Sequence, residues 1–273
     1  MKETYIVDKE SHSFLTSPLF ASYGIKHMFT LRDGGVSQGM YSSFNFATGS
    51  GEIPDEWENV VNNHAIAAAH LGMTAEDICR TYQTHSSNVV TVWQSDRGVG
   101  LLKPPFESGV DGLVTKEKNV LLTVRAADCV PILLYELKNE ICAAVHSGWR
   151  GTVAAIVAKA VKQMMDLGSN HEDIISAIGP SIGQCCYEVG EELFRAFMDE
   201  GAHFGSCFEE RNGKLYLDLK MANALILHRC GIGDERISTS DECTACNTER
   251  FFSHRVMGVD RGTMAAFIAV REK

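Results

Sequence analysis

Three residues of the 273-residue sequence combine metal-binding side chains with interrupted strand patterns: His85 in QTHSSN, Cys129 in RAADCVP and His146 in VHSGWRG. Each sits where an apolar or β-branched run gives way to small or polar residues, and the ends of strands are where a rigid scaffold displays functional groups. Two imidazoles and a thiolate suit zinc, and three protein ligands leave a fourth tetrahedral position open for water or substrate. A structural site would close with a fourth residue. Spacing alone leaves other assignments open. Cysteine is often buried merely as a small hydrophobe, and no short-range pair such as His-x-x-x-His marks the set.

The elements that must position these residues are readable in outline. CRTYQTHSSNVVTVW predicts strands on either side of His85, and NVLLTVRAADCVPILLY and NEICAAVHS predict buried strands around Cys129 and before His146. PDEWENVVNNHAIAAAHLG predicts a helix capped by Asp55 and stopped at Gly72, and TVAAIVAKAVKQMMDLG predicts one helix ending at Gly168. DIISAIGPSIGQCCYEV is expected to return to strand, GEELFRAFMDEG to form a helix, and the final apolar run to close with a strand. Strands and helices mix without regular βαβ alternation. That predicts a mixed α/β or α+β fold, a single domain over 1–273 with mixed sheets flanked by helices.

The bulk composition narrows the function classes. With 45% hydrophobic residues the chain buries a core without needing metal for stability, so a metal site is expected to serve chemistry. A net charge of −10 and the absence of a Lys/Arg block argue against nucleic acid as a partner. The N-terminus lacks the apolar centre of a secretory signal, and the longest apolar run is broken by Arg125 and Asp128, so no membrane segment is expected. Nine cysteines without an export signal read as reduced thiols in a cytoplasmic protein. Cys243-Thr-Ala-Cys246 has CxxC spacing but no evident second pair. Cys185-Cys186 falls in an expected strand whose side chains would point to opposite faces, so neither pair is assigned a role.

The motifs GGVSQGMYSSFNF (34–46), QTH (83–85), DG (111–112), ADCVPILL (127–134), HSGWRGT (146–152), GPSIGQCCYEVGEE (179–192), LDLKMAN (217–223) and CTAC…RFFSHR (243–255) together resemble the laccase-domain family, also called the multicopper polyphenol oxidase or purine nucleoside phosphorylase family. The resemblance covers nearly the whole chain. It implies a fold similar to the cytotoxic necrotizing factor catalytic domain, and a metal, usually zinc, on His85, Cys129 and His146. It also implies phosphorolysis of adenosine, inosine and methylthioadenosine, together with adenosine deamination. Two departures from the family pattern are Ser147, where alanine is common, and Asn63-His64, where an Asn-Arg pair is common; the second removes a candidate phosphate ligand.

Phosphorolysis needs a phosphate held near the sugar's anomeric carbon. Arg150, opening the helix after His146, is the first candidate to donate to it, and Arg125 the second; a structural ion pair is the competing role for each. The N–H groups near Gly151 and Thr152 are expected to add an anion-binding end, with Gly148 permitting a sharp turn and Trp149 packing beneath it or stacking on a purine. Asp128 is assigned to hold a ligand histidine or shuttle a proton, with turn satisfaction as its other role. Ser42 and Asn45 are assigned to substrate contact. Partners are then a nucleoside and phosphate, with the chain a monomer or weak homo-oligomer.

Two rival classes use the same residues. A metal-free thiol hydrolase, cleaving an amide such as a peptidoglycan precursor, would use Cys129 as nucleophile with His146 or His85 as base. A copper polyphenol oxidase needs many histidine ligands. Ten histidines without a His-x-His pair fit one metal ion, zinc or copper, better than a multicopper centre.

Overall fold

Residues 130–136 and 141–147 alternate between two apolar environments with the period of two that a strand imposes. Val130, Ile132, Leu134, Ala143 and Val145 face one cluster, whereas Leu133, Tyr135, Cys142 and Ala144 face another. A strand buried on both faces has no polar side, which explains the nearly continuous apolar runs. The computed structural model describes residues 2–7, 13–49 and 51–271.

Two sheets stack face to face. The first, of seven strands, runs in the order Lys2–Glu3, Ile237–Ser240, Ile174–Ile178, Val130–Glu136, Ile141–Ser147, Gly112–Thr115, Val89–Thr91. The second, of six, runs Ile6–Val7, Phe14–Thr16, His27–Thr30, Met264–Ala269, Leu121–Ala126, Ile78–Arg80. Both contain parallel and antiparallel pairs. The central core lies between them, where Phe29, Val124 and Ala266 meet Leu133, Ala144 and Ala177. Helices Ile156–Asp166, Glu191–Glu200 and Leu219–Arg229 cover the outer face of the first sheet. Helix Trp57–His70 covers the second through Ala67 and Ala68. A small third sheet (Glu188–Val189, Lys214–Leu217, Phe208–Arg211) lies alongside. The mixed α/β architecture agrees with the reading of the sequence. Among the described residues no helix is long and apolar enough to cross a membrane.

Three local expectations change. Residues 149–166 form two helices, Trp149–Val153 and Ile156–Asp166, because Ala155 takes a left-handed conformation (φ 52°) between them. Glu56 rather than Asp55 caps helix Trp57–His70. Asp55 is buried, accepting hydrogen bonds from Ser37, Asn45 and Asn59. Residues 179–187 are a loop between strand Ile174–Ile178 and the short strand Glu188–Val189; its turn carries Cys185 and Cys186.

Candidate active site

The two loops that carry His85 and Cys129 are both corners where the chain leaves one large sheet for the other. His85 lies between Ile78–Arg80 of the six-stranded sheet and Val89–Thr91 of the seven-stranded one. Cys129 lies between Leu121–Ala126 and Val130–Glu136, which are divided in the same way. Such corners open the otherwise sealed interface between the sheets. Antiparallel pairing sets Ser147 opposite Val130, so one step further Gly148 falls beside Cys129. The left-handed backbone at Asp128 (φ 82°) and at His85 (φ 58°) makes both turns.

His85, Cys129 and His146 converge, their ligand atoms all lying within 4.8 Å of one another. The two imidazole rings stand 5.0 Å apart at 74°. His146 is buried and its Nδ1 is 2.8 Å from Asp111 Oδ1, so Nε2 is the nitrogen left for a ligand. The Asp111 carboxylate also accepts from the backbone N–H groups of Thr84, His85 and Ser86 and from the Ser86 hydroxyl (2.7–3.1 Å). One fully buried carboxylate thus orients the ring of His146 and clamps the strained loop that presents His85.

Charge follows geometry. Burial raises the Asp111 carboxyl, but the hydrogen bond and charge of His146 and the donors of Ser86 and Thr84 outweigh it and hold the pKa at about 2. Burial likewise raises the Cys129 thiol, yet the neighbouring charge and hydrogen bonds of His146 and His85 bring it down to about 6. Burial lowers His146, and the facing Cys129 thiolate together with Asp111 raises it to about 9. Without metal the site is therefore a thiolate–imidazolium pair near neutral pH. Its donor set, two imidazoles and a low-pKa thiolate with one ring nitrogen fixed by a carboxylate, fits a zinc or copper ion.

Gly148 has φ −74° and ψ 176°, a conformation open to any residue, so the expected turn role is not what requires glycine. A Cβ there would stand 3.1 Å from both Cys129 Sγ and His85 Cδ2. The glycine makes room for the ligand set. Gly148→Ala is expected to keep the thermal midpoint near wild type while lowering kcat/KM about 10- to 100-fold, because small misplacements of reacting groups carry that cost; a melting curve beside steady-state kinetics checks it.

A cavity of about 470 Å³ opens over His85 and Cys129, with the buried His146 beside them. Its walls include Asp128, Trp149, Arg150, Ile182, Tyr187, Leu219, His254, Arg255 and Arg261. Arg150 is exposed, lies over the Trp149 ring at 4.4 Å and has no carboxylate partner among the described residues. Arg255 donates to the carbonyls of Cys186 and Glu188. Trp149 is half-buried and packs on the outer core of the first sheet, the packing role expected for it.

Other assignments are corrected. Asp128 does not touch a ligand histidine. Its carboxylate accepts from the Thr244 and Ser253 hydroxyls and the Arg255 N–H, and so ties three segments together. The role assigned to it belongs to Asp111, which the Asp-Gly at 111–112 could have signalled. Arg125 does not line the cavity; it lies half-buried in strand Leu121–Ala126, its backbone paired with the Gln83 side chain. Asn45 is fully buried in a network with Ala47, Asp55 and Thr263, and Ser42 is exposed; neither lines the cavity. The Thr152 N–H is spent on the Gly148 carbonyl within a five-residue helix, which removes it from the expected anion-binding end. Asn63 bonds to Val36, Ser37, Ser43 and Asn45, and His64 to Val60, both in the buried interior. Tyr187, His254 and Arg255 fall within motifs that carry the resemblance (179–192 and 243–255), which could have signalled them, whereas Arg261 lies outside those motifs.

The family model described as multi-copper polyphenol oxidoreductase laccase matches residues 26–271. The chain belongs to this family. Among relatives, the family member named purine nucleoside phosphorylase from Deinococcus radiodurans is 38% identical over 90% of this chain and 89% of its own length. The protein named adenosine deaminase RL5, from an unknown prokaryotic organism, is 34% identical over 88% of this chain and 91% of its own. The solved structure of YlmD from Geobacillus stearothermophilus, 33% identical, superposes with a TM-score of 0.84 over 98% of this chain and 100% of that one.

Proposed function

We propose that this chain is a zinc-dependent purine nucleoside phosphorylase with adenosine deaminase activity. The observation that carries the reading is the convergence of His85, Cys129 and His146, the first two lining a cavity that is also lined by Arg150, which has no carboxylate partner among the described residues, in a chain whose relatives bear those two names. Zinc held by these three residues would supply Lewis-acid chemistry that both reactions can use.

The chain's own residues account for the remaining needs. In phosphorolysis a phosphate oxygen bonds to the anomeric carbon as the bond to the purine nitrogen breaks, and the leaving base takes up a proton. Arg150 presents a two-donor guanidinium for the phosphate. Ile182, Tyr187 and Leu219 offer an apolar wall for the base. His254, whose Nδ1 donates to the Gly258 carbonyl at 3.0 Å, keeps Nε2 for a proton. On this reading the enzyme works in the cytoplasm on small molecules, as a monomer or weak homo-oligomer. Copper suits the same donors, and metal analysis of protein purified without added metal separates the two. A multicopper oxidase lacks the ligands: among the described residues only two groups of three or more side chains can hold a metal, and one of them is four cysteines.

Incubation with inosine and phosphate is expected to release hypoxanthine in proportion to phosphate, and phosphate-independent release or none would defeat the proposal. Arg150→Met is expected to raise the KM for phosphate about 10- to 150-fold, the equivalent of the ~1.5–3 kcal/mol of a charged hydrogen bond. The melting temperature should hold, because the side chain is exposed. An unchanged phosphate KM would remove Arg150 from the role.

One observation favours a second reading. Cys129, His146 and Asp111 form a thiolate–imidazole–carboxylate chain suited to a metal-free hydrolase. Rapid inactivation of metal-free but active protein by iodoacetamide would support it, and stoichiometric zinc in active protein would oppose it.

A further inference from the structure

Four cysteines left aside in the sequence meet in space. Cys185 and Cys186 lie on the turn before strand Glu188–Val189, and Cys243 and Cys246 on the loop after strand Ile237–Ser240. Their four sulfurs all lie within 4.8 Å of one another. Cys246 Sγ is 3.5 Å from Cys185 Sγ and 3.3 Å from Cys186 Sγ. The vicinal pair is not in a strand, so its side chains are free to turn to the same side. The missing second pair for Cys243-x-x-Cys246 is thereby supplied from sixty residues away.

We infer that Cys185, Cys186, Cys243 and Cys246 form a second, closed zinc site, distinct from the His85–Cys129–His146 centre. The spacing carries this assignment. Zinc–sulfur bonds of about 2.3 Å in a tetrahedron place sulfurs about 3.8 Å apart, close to the observed separations, whereas a disulfide would join one pair at about 2.05 Å. Four thiolates with no open position are the closed, structural pattern. The backbone offers one of the sulfurs a donor as well. The Gly183 N–H points at Cys243 Sγ at 3.1 Å, and a Cβ on Gly183 would stand 3.1 Å from Cys185 Sγ and 3.2 Å from Cys243 Cβ. A side chain at 183 would crowd the cluster.

The site staples one wall of the catalytic cavity. Ser181 and Cys243 form a bridge, with the Thr244 N–H on the Ser181 carbonyl. The Thr244 hydroxyl and the Ile182 N–H both bond to Asp128, the neighbour of Cys129. Tyr187, directly after Cys186, lines the cavity, and Arg255 is anchored on the Cys186 carbonyl. A zinc held there would add a further tie between the two loops, next to Tyr187 and Arg255.

Metal content per chain tests the inference without reference to activity. Protein expressed in a reducing cytoplasm and purified without chelator is expected to carry two zinc ions, by elemental analysis and native mass spectrometry. Cys129→Ala should retain one, and Cys243→Ser combined with Cys246→Ser should also retain one, removed only when Cys129→Ala is added. Cobalt loaded into Cys129→Ala should give the intense charge-transfer absorption of a four-thiolate site. The Cys129→Ala arm decides the matter even if the double serine variant does not fold. A metal-free Cys129→Ala with all nine minus one thiols titratable would overturn the inference. So would an intact mass two hydrogens short, which marks a disulfide, or iron with inorganic sulfide in place of zinc. Because the catalytic centre is counted separately, failure here leaves the phosphorylase reading intact.

Discussion

Cys129→Ala is expected to lower kcat/KM for inosine phosphorolysis at least about a thousandfold, equivalent to ~4 kcal/mol of transition-state stabilisation. The loss has two parts. The variant removes one of the three side chains proposed to hold the metal, which converge within 4.8 Å, and it leaves the buried His146 without the thiolate that faces it. Metal binding to the wild-type centre should also be linked to protons. Cys129 is depressed to about 6 and His146 raised to about 9. Between those values the metal-free site carries a thiolate and an imidazolium, so binding releases the His146 proton. Affinity therefore rises about tenfold per pH unit across that window and levels off above pH 9. Below pH 6 the Cys129 proton must leave too, and the slope steepens. Competition with a chelator across pH measures the slope; a pH-independent affinity between 6 and 9 would contradict the thiolate–imidazolium pair.

The sequence made some of this legible and hid the rest for identifiable reasons. Strands such as 130–136 and 141–147 announce themselves because both faces are buried and the apolar run is continuous. His85, Cys129 and His146 stood out because each interrupts such a run, and the structure brings them together; spacing alone left their role open, and the resemblance implied the metal set. The split of the helix at Ala155 was not, since alanine carries no mark of a left-handed conformation. Asp111 was overlooked and Asp128 overrated for one reason. Chain proximity favoured the carboxylate next to Cys129, whereas pairing with strand Gly112–Thr115 brings the distant one under His146. For the same reason Arg125 fails to line the cavity and Arg261 lines it. A position four residues before Cys129 lies within a covered strand, and the cavity is reached instead from a loop more than a hundred residues later. The four-cysteine cluster shows the limit most plainly. Local spacing rejected each pair separately, and only the folding of loop 179–187 against loop 243–246 unites them.

Asp111→Asn should separate positioning from ligation. The side chain keeps its size and one acceptor oxygen, but its amide now faces donors that a carboxylate accepted, among them the Ser86 N–H and hydroxyl or the His146 Nδ1–H. An unsatisfied buried donor costs about 1–3 kcal/mol, so a measurable fall in melting temperature is expected. The functional loss should be larger than stability explains. Groups that orient a metal-bound histidine typically contribute about 10- to 100-fold in metal affinity or activity, and Asp111 orients His146 while clamping the amides of residues 84–86 that present His85. A further readout distinguishes this from general loosening. With the carboxylate gone, one of the groups raising His146 is lost, so its pKa in metal-free protein should fall, shifting the proton-release window to lower pH. Nitrogen-15 NMR of the imidazole reports both the tautomer and the pKa. An unchanged His146 titration with a reduced melting temperature would assign Asp111 to the loop alone, whereas a lowered titration with weakened metal binding at fully folded temperatures identifies it as the residue that sets the ligand's protonation and direction.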